Sequence, residues 1–211
     1  VIPSYKEPHL LKTLNSLLLC SKPPCIVEVM VVLNYSQQDP VDVKNHTLLQ
    51  LGELREWMRL NNSDQLIFHA LLEKDIPHKI AGPGMARKIG MDEAVRRFEA
   101  AENPNGIITG LDADCLVAEN YMAEIYNHWQ RHPGTHGISI YFEHPLEGDF
   151  EDIVYESITA YELHLRYYIN AQAFAGFPYA FQTVGSSFAV TSAAYQKQGG
   201  MNKRKAGEDF Y

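Results

Sequence analysis

Apolar residues change their spacing repeatedly along this chain, and each change predicts a new element. Val1-Ile2 is a short apolar run that Pro3 closes, followed by the polar loop Ser4-Tyr5-Lys6-Glu7-Pro8. Pro8 stands where a first helical turn would begin, and Leu10, Leu11, Leu14, Leu17 and Leu18 recur at helical spacing until Pro23-Pro24. Residues 25–34 are almost continuously apolar, as in a parallel strand covered on both faces. The spacing then predicts a helix over 43–61, a strand over 65–73, a glycine-led helix over 82–101 and a strand over 106–114. A helix over 118–132 stops at Pro133-Gly134, residues 137–144 alternate like a strand, and 149–173 form a long amphipathic helix rich in aromatics. Its stretch 153–170 reads as core rather than as a sugar-stacking surface, although Tyr167 and Tyr168 suit either use. Residues 181–191 predict a last strand. Strands alternating with helices imply an α/β fold, a mainly parallel sheet with helices on both faces and right-handed crossovers. Neither a repeat nor a low-complexity linker interrupts the pattern, so residues 1–211 read as one domain.

Composition narrows the functional classes. The chain has 211 residues, 45% hydrophobic and 21% charged, with a formal net charge of −8. It offers no long basic face, which argues against nucleic acid as a partner. No apolar run approaches the roughly 20 residues that span a bilayer, and no signal peptide is visible. Cys20, Cys25 and Cys115 cannot all pair and lack zinc spacing, so they read as reduced thiols in a cytoplasmic protein, free or at the cytoplasmic face of a membrane. The triplets at Asn34, Asn45 and Asn61 that resemble glycosylation sites are then chance. The chain opens on a strand at Val1 and stops at Tyr211, as a piece of a longer protein lacking its C-terminal region would.

Ligands of open α/β sheets bind beyond the carboxyl ends of the strands. Tyr5, Asn34, Asp112 and Asp114 all follow predicted strand ends. Residues two apart in extended chain point the same way, so Asp112 and Asp114 should emerge together, and two such like charges call for a cation or a proton between them. Gly82, Gly84 and Gly90 lead a helix whose N-terminus favours anions, with Arg87 in its first turn able to grip a phosphate. The dinucleotide pattern G-x-G-x-x-G fails here, because Arg87 holds the place of its third glycine. His128, His132 and His136 have partial metal spacing, but Pro133 breaks the helix between them and a third ligand is not evident.

Taken together, Val1–Glu7, Val31–Ser36, Gly84–Ala94, Leu111–Cys115 and Gly199–Tyr211 resemble, in order, the motifs of the family 2 glycosyltransferases. These are the V-I-P-x-Y-N-E loop, the V-V-D-D-G-S strand end, the A-R-N-x-G helix, the D-x-D strand end and the segment leading to an E-D pair. The resemblance implies a GT-A fold and an inverting hexosyltransferase that uses Mg²⁺ or Mn²⁺, of the kind found in polysaccharide biosynthesis. Its donor would be a nucleoside-diphosphate sugar, and its acceptor hydroxyl a glycan, a lipid-linked sugar or a small molecule. By the same resemblance Pro3, Tyr5 and Glu7 would line the nucleoside pocket, Asp112 would contact the ribose and Arg87 the nucleotide or its diphosphate. Asp114 would bind the metal, and Asp209 would be the general base. Hard cations prefer such oxygen ligands, and attack on an anomeric carbon from the opposite face needs one carboxylate base there.

The chain departs from the family in three places. Leu33 and Asn34 stand where acids are usual, so Asn34 would read the base edge and the choice of nucleotide stays open. Lys88 replaces an asparagine and adds a cation near the diphosphate. A Q-x-x-R-W motif beyond the E-D pair is not present. Glu208 is read as pointing away from the site, and residues 202–205 as a solvated loop. Two rivals remain: a non-catalytic nucleotide-sugar binding module, and a haloacid-dehalogenase-type phosphatase. The second would want glycine and threonine after its D-x-D, where Cys115 and Leu116 stand.

Overall fold

The computed structural model describes residues 1–182 and 184–202. Its first three strands, β1 (Ile2–Ser4), β2 (Val27–Ser36) and β3 (Leu66–Ile76), pair in parallel in the order β1-β2-β3. Parallel neighbours need long crossovers, supplied by α1 (Leu10–Leu19) and α2 (Val41–Asn61). Leu10, Leu14 and Leu17 give α1 its buried stripe, while Leu11 and Leu19 face outward. Val29 through Leu33 are all buried, as a strand covered on both faces requires. Val29, Val31 and Leu33 pack with Ile2 against α1 and α2. Met30 turns the other way, into a cluster with Met91 and Ala94 of α3 (Pro83–Ala100).

The second half of the sheet is antiparallel. β4 (Ile107–Gly110), β5 (Gly137–Ser139) and β6 (Phe188–Thr191) form it in the order β4-β6-β5. Val1 joins the halves: its amino group donates to the Thr109 carbonyl at 2.7 Å, and its carbonyl accepts from the Leu111 N–H at 3.1 Å. The strands thus run β3-β2-β1-β4-β6-β5 across the molecule. α3 reaches this seam because residue 90 is glycine; a Cβ there would collide with Val1 and Val32. The α/β architecture expected from the sequence holds, with its parallel part confined to β1–β3. α4 (Tyr121–Arg131) and α6 (Ser192–Gln198) complete the two layers through Met122 and Tyr195.

Two expectations need correction. Among the described residues, 137–144 and 181–191 pair over β5 and β6 and through one further bond, from the Ile140 N–H to the Ser187 carbonyl at 2.7 Å, rather than along the whole length expected. The aromatic helix α5 (Asp152–Phe174) is not core: Glu162 is its one buried residue, and Tyr161, Leu163, Tyr167, Tyr168 and Phe174 are exposed. Glu162 ties α5 to the preceding loop by accepting from the His144 N–H at 2.9 Å, and it pairs with Arg166 one turn along the same helix at 2.8 Å. Periodicity gave this helix an apolar face, but no described element packs over it. Among the described residues, no helix is long and apolar enough to cross a membrane.

Candidate functional site

The carboxyl ends of β1, β2 and β4 open on one rim. Ser4 lies opposite Leu33, so Tyr5 follows the end of β1 at the level of Asn34, which lies inside β2 rather than after its end as expected, because the strand runs on to Ser36. Val1 bonded between Thr109 and Leu111 sets β4 beside β1, which brings Leu111–Asp114 to that rim. The turn at 113 is anchored from α1, where the Thr13 hydroxyl donates to the Ala113 carbonyl at 2.7 Å. Asp112 and Asp114 do converge, but not as extended chain: β4 ends at Gly110, short of the strand expected over 106–114, and the pair sits on the turn, where one ligand atom from each and the Cys115 sulfur lie within 4.8 Å of one another. Burial and the two carboxylates push the Cys115 thiol up to about 11.

Arg87 is engaged inside the protein. Its side chain is 4% exposed, and both terminal nitrogens donate to Asp112 Oδ1 at 3.2 and 3.1 Å, while the Asp112 side chain is 41% exposed. The cation is therefore sunk beneath a carboxylate that is itself partly exposed. Gly185 lets the loop before β6 press on the guanidinium, since a Cβ there would collide with Arg87; at Gly110 a Cβ would strike the Gly185 carbonyl. Lys88 is held on its own helix by Asp92, at 2.8 Å, and Asp92 also accepts from the Tyr195 hydroxyl at 2.8 Å.

The other expected residues divide. Tyr5 is exposed and donates to Asp39 Oδ1 at 3.1 Å; partial burial and the Asp39 carboxylate raise its pKa. Glu7 accepts from the His9 N–H at 2.8 Å and, through its carbonyl, from Gln50 at 2.9 Å, so it organises the entry to α1. Pro3 is half-buried within β1. Asn34 is buried in β2, in register with Glu73. Asp209, Glu208 and positions 203–205 lie outside the described residues. Sequence reading missed Asp39, which also accepts from the Ser36 N–H at 2.7 Å and so caps the turn after β2; its signal was the polar turn Ser36–Asp39 itself. Gly185 was missed as well, because a contact across 98 positions leaves no local pattern.

No family model matches the chain, and no curated protein matches it. Among solved structures it is similar to the crystal structure of Staphylococcus aureus TarS 1–349, with a TM-score of 0.56 and 16% identity over 99% of this chain. The chain spans 51% of that structure's length. At this identity the likeness concerns the fold alone: residues 1–202, as described, are built as an α/β domain of the kind seen in TarS.

Proposed function

We propose that the chain is the donor-binding domain of a metal-assisted glycosyltransferase that moves a sugar from a nucleoside-diphosphate sugar to an acceptor hydroxyl with inversion. The observation that carries this reading is the convergence of Arg87, Asp112 and Asp114 on one rim, in a chain folded like TarS, a glycosyltransferase. Asp112, fixed by Arg87, offers its free oxygen to a ribose hydroxyl. Tyr5 and Asn34 flank the nucleoside, with Asp39 holding the Tyr5 hydroxyl. The donor set suits a hard divalent cation, Mg²⁺ or Mn²⁺, because two carboxylates supply oxygens. When bound, such an ion neutralises charge on a departing diphosphate. Asp209 is the base that takes the acceptor proton in this scheme.

Calorimetric titration with nucleoside diphosphates, with and without Mn²⁺, tests the reading. Asp114→Ala should remove the Mn²⁺-dependent part of binding while leaving the fold intact. Equal metal-dependent affinity in the variant would reject the assignment. The share of TarS that the chain spans favours one second reading, a nucleotide-sugar module that completes its site with further chain. Release of nucleoside diphosphate only when acceptor is present separates the enzyme from that module.

A further inference from the structure

Helix α5 is apolar on two sides. Glu162 and the half-buried Ile158, Leu165 and Ile169 turn one side toward the protein. Ile153, Ala160, Tyr167 and Phe174 recur every seven residues, or about two turns, along the other, and all four are exposed. Tyr167 is 74% exposed and Phe174 95%. A helix that is apolar all round belongs inside something, and a contiguous exposed patch of this kind marks an interaction site. The patch is also large. Aromatic side chains offer about 150–250 Å² each, and Tyr161, Tyr167, Tyr168 and Phe174 expose half or more of theirs. With Ile153 and Leu163 beside them, one copy comes close to the roughly 800 Å² per partner of a stable interface.

The relief of this face fits a copy of itself. Ser157 and His164 share the face with the seven-residue row, so its amino-terminal half carries the small pair Ser157 and Ala160. Its carboxyl-terminal half carries the large pair His164 and Tyr167. Two copies laid antiparallel bring Ser157 against Tyr167 of the second copy and Ala160 against its His164, small against large in each layer. A parallel pair would press Tyr167 on Tyr167 and leave a gap between the Ala160 residues. The antiparallel contacts repeat on both sides of a two-fold axis, as an isologous dimer requires. Charge argues against a lipid surface. Helix α5 has no lysine, its one arginine is paired with Glu162, and Asp152 and Glu156 leave it acidic, whereas helices that lie on membranes are rich in Lys and Arg.

We propose that α5 is a dimerisation helix, whose exposed face pairs antiparallel with the same face of a second copy of this chain. The proposal holds whatever chemistry the rim at Asp112 and Asp114 performs.

Sedimentation velocity should find the 211-residue chain dimeric at about 50 μM, since interfaces of this size hold at micromolar Kd or tighter. Ser157→Glu and Tyr167→Arg each place an unpaired charge inside the antiparallel contact, and each alone should weaken the dimer about tenfold or more. Mixed together the two variants should associate again, because the new acid then faces the new base across the pair; a parallel arrangement would not bring them together. Leu49→Glu, at an exposed apolar position of α2, should leave the dimer as it is. A parent chain that stays monomeric overturns the proposal, and so does a dimer indifferent to both α5 substitutions. A mixture that stays monomeric overturns the antiparallel pairing. A monomer that pellets with vesicles of phosphatidylcholine and phosphatidylglycerol would give the face to a membrane instead. Circular dichroism checks that each variant is folded. Should either fail to fold, Ala160→Glu takes its place, since it puts a good helix former at an exposed position. Loss of the dimer in that variant supports the proposal, and its persistence overturns it.

Discussion

Asp112 and Asp114 sit two residues apart, yet they stand to the protein differently. Asp112 neutralises a guanidinium that is almost wholly buried, whereas Asp114 is exposed. Asp112→Asn should therefore cost about 1–3 kcal/mol of folding stability, the range for a hydrogen bond to a buried charged group. Asp114→Asn should stay within about 0.5 kcal/mol of the parent, as exposed substitutions do. Urea titration of the two variants measures this difference without any ligand. Catalysis would fall to a third carboxylate: Asp209→Asn is expected to lower transfer roughly 10²- to 10⁴-fold while metal-dependent donor binding persists. Rate measurements with an accepted donor and acceptor, alongside calorimetry, check both halves. The aspartate pair was legible in the sequence as a D-x-D beyond an apolar strand, but a turn after Gly110, and not a period of two, brings its members together. The depth of Arg87 was not. A cation at a helix start reads as a phosphate grip, whereas here Arg87 lies between the loop at Gly185 and the Asp112 carboxylate.

At the scale of elements, the charged seam between α3 and the strands is a continuous chain of pairs. Glu93 accepts from Arg96 at 2.7 Å and Arg97 at 2.8 Å, Arg97 reaches Glu28 of β2 at 2.8 Å, and Glu28 meets His69 of β3 at 3.0 Å. The hydrogen bond from Arg96, with help from Arg97, holds Glu93 down at about 2. A carboxylate depressed in the folded state contributes stability above its unfolded pKa near 4.5, and that contribution drains as pH falls toward 2. Arg96 is 66% exposed, so solvent screens much of the pair. Acidifying from pH 5 to 2.5 should cost about 1 kcal/mol more in the parent than in Glu93→Gln, as denaturant midpoints at each pH would show. Helix α3 was predictable from its spacing; that Gly90 brings it against Val1 and Val32 was not, because a glycine does not name the strand it will meet. α5 marks the limit of that method. A period of 3.6 establishes that a helix has an apolar face, but Tyr161, Leu163 and Tyr168 say nothing about which surface covers it, and here none of the described elements does.

On the scale of the whole molecule, one residue couples the two half-sheets, and it brings a charge with it. Among the described residues, Val1 carries the backbone hydrogen bonds between β1–β3 and β4–β6; its amino group is buried and donates to Thr109. Burial, reinforced by the Arg87 guanidinium, lowers that amine from 8.0 to about 5. Here the folded state prefers the neutral form. As pH falls from 8 toward 5 the unfolded chain takes up a proton that the folded chain refuses, so stability must fall across that window and level off below it. Three pKa units correspond to about 4 kcal/mol at most, and rearrangement around the amine would reduce this. The dependence runs through a window in which Glu93 stays ionised, so the two effects can be separated. Unfolding free energies of the 211-residue chain measured by denaturant from pH 5 to 8 should rise steadily. The same chain with its Val1 amine acetylated carries an amide that cannot titrate, and its profile should be flatter over that range by most of the difference. A parent profile as flat as the acetylated one would mean that the amine reaches water in solution, and that the junction of the half-sheets is looser than its hydrogen bonds to Thr109 and Leu111 indicate.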